Sequence, residues 1–305
     1  MDDLKLIRDS EKRKDFRFSV PLDDKIEFSI NMIKSLESLA LYMHLDGFHL
    51  AFSGGKDSIV LYHLAKKAKV KFKAHMLVTT IDPPEVMRCV RSYYKDVLMH
   101  RPKTNMFQEI KDKKCLPTGF YRWCCRVLKE KIGIGTVTLL GIRALESLRR
   151  SERYPIEKSG YPNEPLWWDM YEEKGYLDRY DITTQDKMMV SPLYYWSEAD
   201  VWNYIRNNNL HYPELYDQGW SRVGCMFCPM SRVGEKKLEL QRYPKVAQKF
   251  IDSIDFIVKE YGYADKYTDD PVEIFHWWIS NKSMKNYFRD KKKNQYNLFE
   301  KNTEK

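Results

Sequence analysis

Residues 48–58 read FHLAFSGGKDS. The first five, FHLAF (48–52), are a short apolar run of strand length. DSIVLYHLAKKA (57–68) puts Val60, Leu61, Leu64 and Ala65 on one face of a helix. Two serines, two glycines, a lysine and an aspartate therefore fall between a strand and a helix N-terminus. Backbone N–H groups and the helix dipole make that position an anion site. Gly54 and Gly55 let a phosphate approach the backbone, Ser53 and Ser58 can donate hydroxyls, and Lys56 adds positive charge. Taken alone, Gly-Gly is a turn signal, and Asp57 or Ser58 could serve only as a helix cap. The strand before and the helix after favour a phosphate loop, although not the Walker loop, which is longer and ends in Gly-Lys-Ser/Thr.

SGGKDS (53–58) resembles the SGGxDS signature of the PP-loop ATP pyrophosphatases. That resemblance implies an α/β enzyme that binds ATP and cleaves between its α- and β-phosphates, releasing pyrophosphate.

The bulk composition agrees with a nucleotide enzyme. The chain has 305 residues, 43% hydrophobic and 31% charged, enough for one large or two small domains with a substantial core. Its net charge of +9 favours polyanionic partners: nucleotides, nucleic acid or both. No apolar run approaches membrane-span length. MDDLKLIRDSEKRKDF (1–16) is charged and has no apolar signal region, so a cytoplasmic protein without membrane contact is expected.

The pattern along the chain predicts a doubly wound, mostly parallel α/β sheet with a helical C-terminal region. A polar lead-in (1–24) precedes a helix over 25–44. KFKAHMLVTT (71–80) reads as the next strand, and DPPEVMRCVRSYY (82–94) as a helix with proline near its start. IGTVTLLGIR (134–143) and KMMVSPL (187–193) read as strands, RALESLRRSERY (143–154) as a polar helix or turn. SEADVWNYIRNN (197–208) reads as a serine-capped helix. Residues 155–186 look like a long loop rich in aromatics, and 235–292 like helices. These segments imply a nucleotide-binding domain over 25–232, a helical region over 233–292 and a basic tail over 293–305.

In open parallel sheets, ligands bind beyond the carboxyl ends of the strands. Three such ends matter here: Ser53–Ser58, Thr79–Glu85 and Gly141–Arg150. In the last, GIRALESLRR, Arg143, Arg149 and Arg150 could clamp a phosphate or sulfate, with Glu146 orienting one of them; a solvated charged helix is the plain alternative. GIRALESLRR and SPLYYWSEADVWNYI (191–205) resemble the phosphoadenosine phosphosulfate (PAPS) reductase branch of the PP-loop family. The resemblance implies that Ser53, Gly54, Gly55, Lys56, Asp57 and Ser58 bind nucleotide phosphates. It also implies that Arg143 and Arg149 or Arg150 contact the anionic end of the nucleotide, with Gly141 and Glu146 in the same binding segment, and that Thr80 and Asp82 lie near the nucleoside. Lys56, Asp57 and Arg143 are the expected catalytic residues.

Cys124-Cys125 and Cys225-x-x-Cys228 form two tight pairs among six cysteines. Four thiolates could hold zinc or an iron–sulfur cluster, but adjacent cysteines fit paired zinc knuckles poorly. The pattern is similar to that of the cluster-containing adenylylsulfate (APS) reductases and their relatives, which implies a [4Fe–4S] cluster on these four residues. Arg122, Arg126, Lys129 and Lys131 suit an anionic cluster with a nucleotide beside it. Cys89 reads as a small core residue and Cys115 as an ordinary loop cysteine.

The sulfonucleotide reductases of this family attack sulfate with a cysteine near the C-terminus, and no cysteine follows Cys228 here. The expectation is therefore a sulfur-transfer ATP pyrophosphatase similar to the DNA phosphorothioation and tRNA thiolation enzymes. Its cofactors would be ATP, Mg²⁺ and the cluster. Its partners would be a nucleic-acid acceptor, a cysteine desulfurase as sulfur donor and other subunits of a modification complex. Trp167, Trp168, Tyr171 and Tyr176 would suit such an acceptor, or equally an apolar lid. A reductase using Cys115 and a non-catalytic nucleotide-binding subunit are the alternatives.

Overall fold

The computed structural model describes residues 16–129, 133–159, 186–262 and 267–303. Lys131, the tryptophan- and tyrosine-rich stretch 161–180 and most of the polar lead-in fall outside the described residues. The chain divides into two compact units: residues 1–77, 84–100 and 131–223 form the first, residues 78–83, 101–130 and 224–305 the second.

The first unit is built on a six-stranded sheet in the order β3-β2-β1-β4-β6-β5. Its strands are β1 (Phe48–Ala51), β2 (Phe72–Leu77), β3 (Leu98–His100), β4 (Thr136–Leu139), β5 (Ile156–Lys158) and β6 (Lys187–Val190). All neighbours are parallel except β5, which runs antiparallel to β6. The α/β class and mostly parallel sheet read from the sequence are therefore present. Two strands were not legible. β3 has only three residues, and two of them, Leu98 and Met99, are exposed. β5 opens the segment expected to be loop; its central Glu157 is only 1% exposed and accepts from Arg153, so a charge stands where a strand pattern wants an apolar residue.

Helices α1 (Leu22–Ser35) and α2 (Glu37–Met43) replace the single helix expected over 25–44. The break is at Leu36, whose ψ of 3° leaves the helical region. α3 (Lys56–Ala68) joins β1 to β2 and buries Ile59, Val60, Leu61, Leu64 and Ala65. α4 (Pro84–Tyr93) joins β2 to β3. After β4 come a 3₁₀ turn (Ala144–Glu146) and α7 (Leu148–Ser151); after β6 comes α8 (Glu198–Asn207). α8 carries the expected cap: Ser197 Oγ accepts from Asp200 N–H at 3.1 Å, and the Asp200 carboxylate accepts from Ser197 N–H at 2.7 Å. α1 and α8 pack on α3, and α2 packs on β1 and β4. Leu50, Ile59, Leu64, Val137, Leu139, Val190 and Val201 are fully excluded from solvent at the centre.

The second unit is helical: α5 (Met106–Lys113), α6 (Trp123–Leu128), α9 (Val233–Arg242), α10 (Pro244–Tyr261), α11 (Pro271–Ile279) and α12 (Met284–Thr303). Proline at its first position and Gly262 at φ 60° bound α10. Phe107, Phe227, Phe250, Phe275 and Trp278 pack ring on ring to form its core. The backbone of α12 continues as helix through Thr303, because residues 284–303 contain neither glycine nor proline and many good helix formers. No described helix is long and apolar enough to cross a membrane.

Candidate functional site

The sheet order reverses between β1 and β4: β2 and β3 lie to one side of that pair, β6 and β5 to the other. A crevice opens at such a switch point beyond the carboxyl ends of the two strands. The loop Ser53–Ser58 leaves β1 there, and Gly141–Arg143 leaves β4. A side chain at Gly141 would put its Cβ 3.1 Å from Asp57 C and 3.2 Å from Ser58 N, so glycine is what lets the two strand ends meet. Gly54 has φ +74°, and a Cβ there would lie 2.6 Å from Val86 Cγ1.

Hydroxyl oxygens satisfy the loop's amides. Ser53 N–H donates to Ser58 Oγ at 3.2 Å, and Gly55 N–H to Ser53 Oγ at 3.3 Å. Lys56 N–H donates to Tyr216 Oη at 3.0 Å. Ser58 Oγ itself donates to Gly55 O at 2.8 Å. These are the donors that a phosphate would be offered at the start of α3.

Positive charge converges beside them. Arg143, 4% exposed, donates from Nε to Asp57 Oδ1 at 2.6 Å. Its backbone N–H is capped by Glu146 Oε2 at 3.0 Å, and Glu146 also pairs with Arg150. Burial, then repulsion by Arg222, Arg143 and Arg153, holds the Arg150 pKa down to about 10. Arg143, Arg150, Arg153 and Arg222 are near enough to act on one another, and Asp57, Glu146 and Glu157 offset part of their charge; guanidinium groups so gathered can pair with a bound polyanion. Arg149 is exposed on α7, whereas Arg150 pairs with Glu146 and its charge is acted on by Asp57. The Lys56 ammonium turns away from the loop amides. It lies 3.3 Å from Ser221 O, 3.5 Å from Glu198 Oε1 and 3.7 Å from Asp57 Oδ2. Tyr216, Glu198, Ser221 and Arg222 were missed in the sequence; they lie 140 or more residues from the loop, and no local pattern marks them.

Thr80 and Asp82, expected near the nucleoside, belong to the second unit. Asp82 accepts from Thr79 N–H at 2.6 Å and from Thr79 Oγ1 at 2.8 Å. Thr80, at φ 66°, accepts from Met106 N–H at 2.9 Å. In the same unit Met226 N–H donates to Ile81 O at 2.8 Å, and the Asp82 charge acts on the Lys129 ammonium.

The four paired cysteines lie together, and none of the six is in a disulfide. Cys124 is pushed far above the usual thiol range, first by a hydrogen bond with Cys125, then by burial and by the charges of Cys125, Cys228 and Cys225. Lys129 is exposed, and Cys225 raises its pKa, with help from Asp82 and Cys125. The Cys225–Cys228 turn is held from outside. Phe227, at φ 55°, donates its N–H to Glu239 Oε2 at 2.6 Å, and burial raises that carboxyl to about 7. Among the described residues no three His, Cys, Asp or Glu side chains converge as a single metal ion requires. Four neighbouring thiols are a donor set of the kind that holds zinc or an iron–sulfur cluster.

The family model described as "Phosphoadenosine phosphosulfate reductase domain" matches residues 47–231, a span that runs from β1 through both cysteine pairs. This chain belongs to that family. Adenosine 5'-phosphosulfate reductase of Staphylococcus epidermidis, which this PAPS reductase family member resembles, is 51% identical over 187 residues, 58% of this chain and 68% of that one. An uncharacterised protein of Methanocaldococcus jannaschii is 26% identical over 285 residues, 89% of this chain; the chain spans 64% of that relative's length, less than two thirds. Among solved structures, the PAPS reductase of Candida auris in a phosphate complex is similar at a TM-score of 0.43 and 18% identity, covering 68% of this chain and 95% of that one.

Proposed function

We propose that this member of the PAPS reductase family is an ATP pyrophosphatase that adenylylates an acceptor for sulfur transfer, with nucleic acid as the acceptor, as in DNA phosphorothioation. The phosphates of ATP would lie over residues 53–58, with Arg143 and Arg150 beside the α-phosphate and Asp57 fixing Arg143. An acceptor oxygen would attack the α-phosphorus, the bond to the β-phosphate oxygen would break, and pyrophosphate would leave with that electron pair. AMP would be the second leaving group when a sulfur nucleophile displaces it. Mg²⁺ would arrive with ATP and neutralise its phosphates. Cys124, Cys125, Cys225 and Cys228 would hold a [4Fe–4S] cluster, which when bound would present sulfur from a cysteine desulfurase. Other subunits of a modification complex would deliver the acceptor.

One observation favours this reading over thiol-driven reduction of a sulfonucleotide: the state of the two cysteines outside the group of four. Cys89 is buried in α4 and its thiol is pushed up to about 11 by burial alone. Cys115 is half-buried, and burial raises it too, against smaller opposing effects from Trp123 and Lys113. Neither is poised as a thiolate nucleophile at neutral pH. A nucleic-acid acceptor is supported by the +9 net charge and by Phe120, fully exposed, and Tyr121, exposed, beside Arg122 and Arg126. Exposed rings and arginines are what single strands stack on and pair with.

The test is pyrophosphate release from ATP–Mg²⁺ by anaerobically purified protein, with visible absorbance recorded and Ser58→Ala as control. A brown protein that releases pyrophosphate, with an inactive control, supports the proposal. The rival is a sulfonucleotide reductase, the activity named for the Staphylococcus epidermidis relative. Reduction of adenosine 5'-phosphosulfate with a thioredoxin-type donor, and no turnover of ATP, would establish that rival.

A further inference from the structure

Three hydroxyl oxygens occupy loop amides, and two of them, on Ser53 and Ser58, are part of the loop. The third comes from the 3₁₀ turn Glu214–Tyr216. Tyr216 Oη takes Lys56 N–H at 3.0 Å and lies 3.4 Å from where a Cβ on Gly55 would be. It therefore stands directly over the glycine that has to admit a phosphate. The Val223 backbone also hydrogen-bonds the same oxygen. Burial keeps Tyr216 protonated, well above the usual tyrosine range, so the oxygen is a neutral acceptor sitting where an anion would be favoured.

We infer that the Tyr216 hydroxyl competes with phosphate for the Lys56 amide, so that the turn Glu214–Tyr216 must move aside when a nucleotide enters the loop. This rests on the reading of residues 53–58 as a phosphate loop. The turn is held in ways that can yield. Tyr216 meets Trp202 edge to face at 5.1 Å, and Glu214 pairs with Arg88 at 3.0 Å with both side chains exposed. An exposed pair of this kind adds little stability; fully buried Leu215 anchors the centre of the turn, so the movement is confined to its ends at Glu214 and Tyr216. Tyr216 is thus a positioning residue. It keeps the loop in register for phosphate and sets a threshold that weak anions do not pass.

The test is calorimetric titration of inorganic pyrophosphate and ATP into wild type and Tyr216→Phe. The ring must move in both proteins, but only wild type gives up a hydrogen bond to Lys56. Tyr216→Phe should therefore bind pyrophosphate about tenfold more tightly, the worth of one such bond. A purely structural role predicts equal or weaker binding. Should Tyr216→Phe fold poorly, Glu214→Gln releases the turn at its outer tether and should tighten binding in the same direction, about twofold. Binding by wild type with no gain in either variant overturns the inference and leaves the phosphate loop standing. Failure of wild type and both variants to bind either compound overturns the phosphate-loop reading and the inference with it.

Discussion

At the level of single residues, the loop depends on two glycines for different reasons. Gly54 is needed for its positive φ and for clearance from Val86. Gly54→Ala meets both obstacles and should cost about 2–4 kcal/mol in urea unfolding, as overpacking plus backbone strain. Gly141→Ala meets only a tight contact with Asp57 and should cost less while still weakening nucleotide binding, because it pushes on the atoms that shape the loop. Arg143 is not replaceable by lysine: its Nε is committed to Asp57 Oδ1, and a lysine has no second face for an anion. Arg143→Lys should lower ATP affinity by about 10- to 100-fold, if a charged hydrogen bond worth roughly 1.5–3 kcal/mol is lost. Equilibrium binding of ATP to the folded variant measures this. The loop's chemistry was legible in the sequence because SGGKDS is local. Tyr216 and Arg222 were not, since the fold brings them to the loop from more than 150 residues away.

At the level of elements, three adjacent strands carry a row of histidines. His49 of β1 stacks on His75 of β2 at 4.1 Å, and His75 Nδ1 lies 2.8 Å from His100 Nε2 of β3. One of that last pair must donate and the other accept, so the row works when neutral. Burial first, and then His75, holds the His49 pKa down to about 3, and burial also lowers His75. Lys73, Lys187 and His44 add repulsion, and only Asp46 opposes it. A histidine depressed in the fold is protonated first in the unfolded chain, so its stabilisation is complete above about pH 6.5 and drains away as pH falls towards 3. Between pH 7 and 5, His49 alone should account for a loss of about 2 kcal/mol. Urea midpoints at the two pH values, with His49→Asn showing a smaller drop, check this. In the other unit, Glu239→Ala would orphan the Phe227 N–H and should destabilise by about 1–3 kcal/mol, whereas Glu239→Gln keeps an acceptor. On the proposed cluster, iron content after anaerobic reconstitution should fall in the first variant and hold in the second. Parallel strands with apolar runs were readable from sequence. β3 and β5 were not, because a three-residue strand with two exposed members and a strand centred on a glutamate carry no periodic signal.

At the level of the whole molecule, the chain passes between its two compact units five times, at residues 77, 83, 100, 130 and 223. No single cut separates them. A chain ending at Val223 would keep 101–130 but lose the helices and the Cys225–Cys228 turn that belong with that segment. It should express poorly, by solubility analysis, and on the proposed cluster it should hold no iron. The helical C-terminal region was legible from its periodicity. Its union with residues 101–130 was not, because contacts between distant segments leave no mark on either segment by itself.

The interleaving also has a consequence in time. Cys124 and Cys125 leave the ribosome about a hundred residues ahead of Cys225 and Cys228, which at roughly 5–20 residues per second is an interval of about 5–20 s. Throughout that interval the first pair has neither its partners nor the turn braced by Glu239. Two neighbouring thiols in that position are open to oxidation, so the yield of correctly assembled protein should depend on how reducing the cell is while translation is under way.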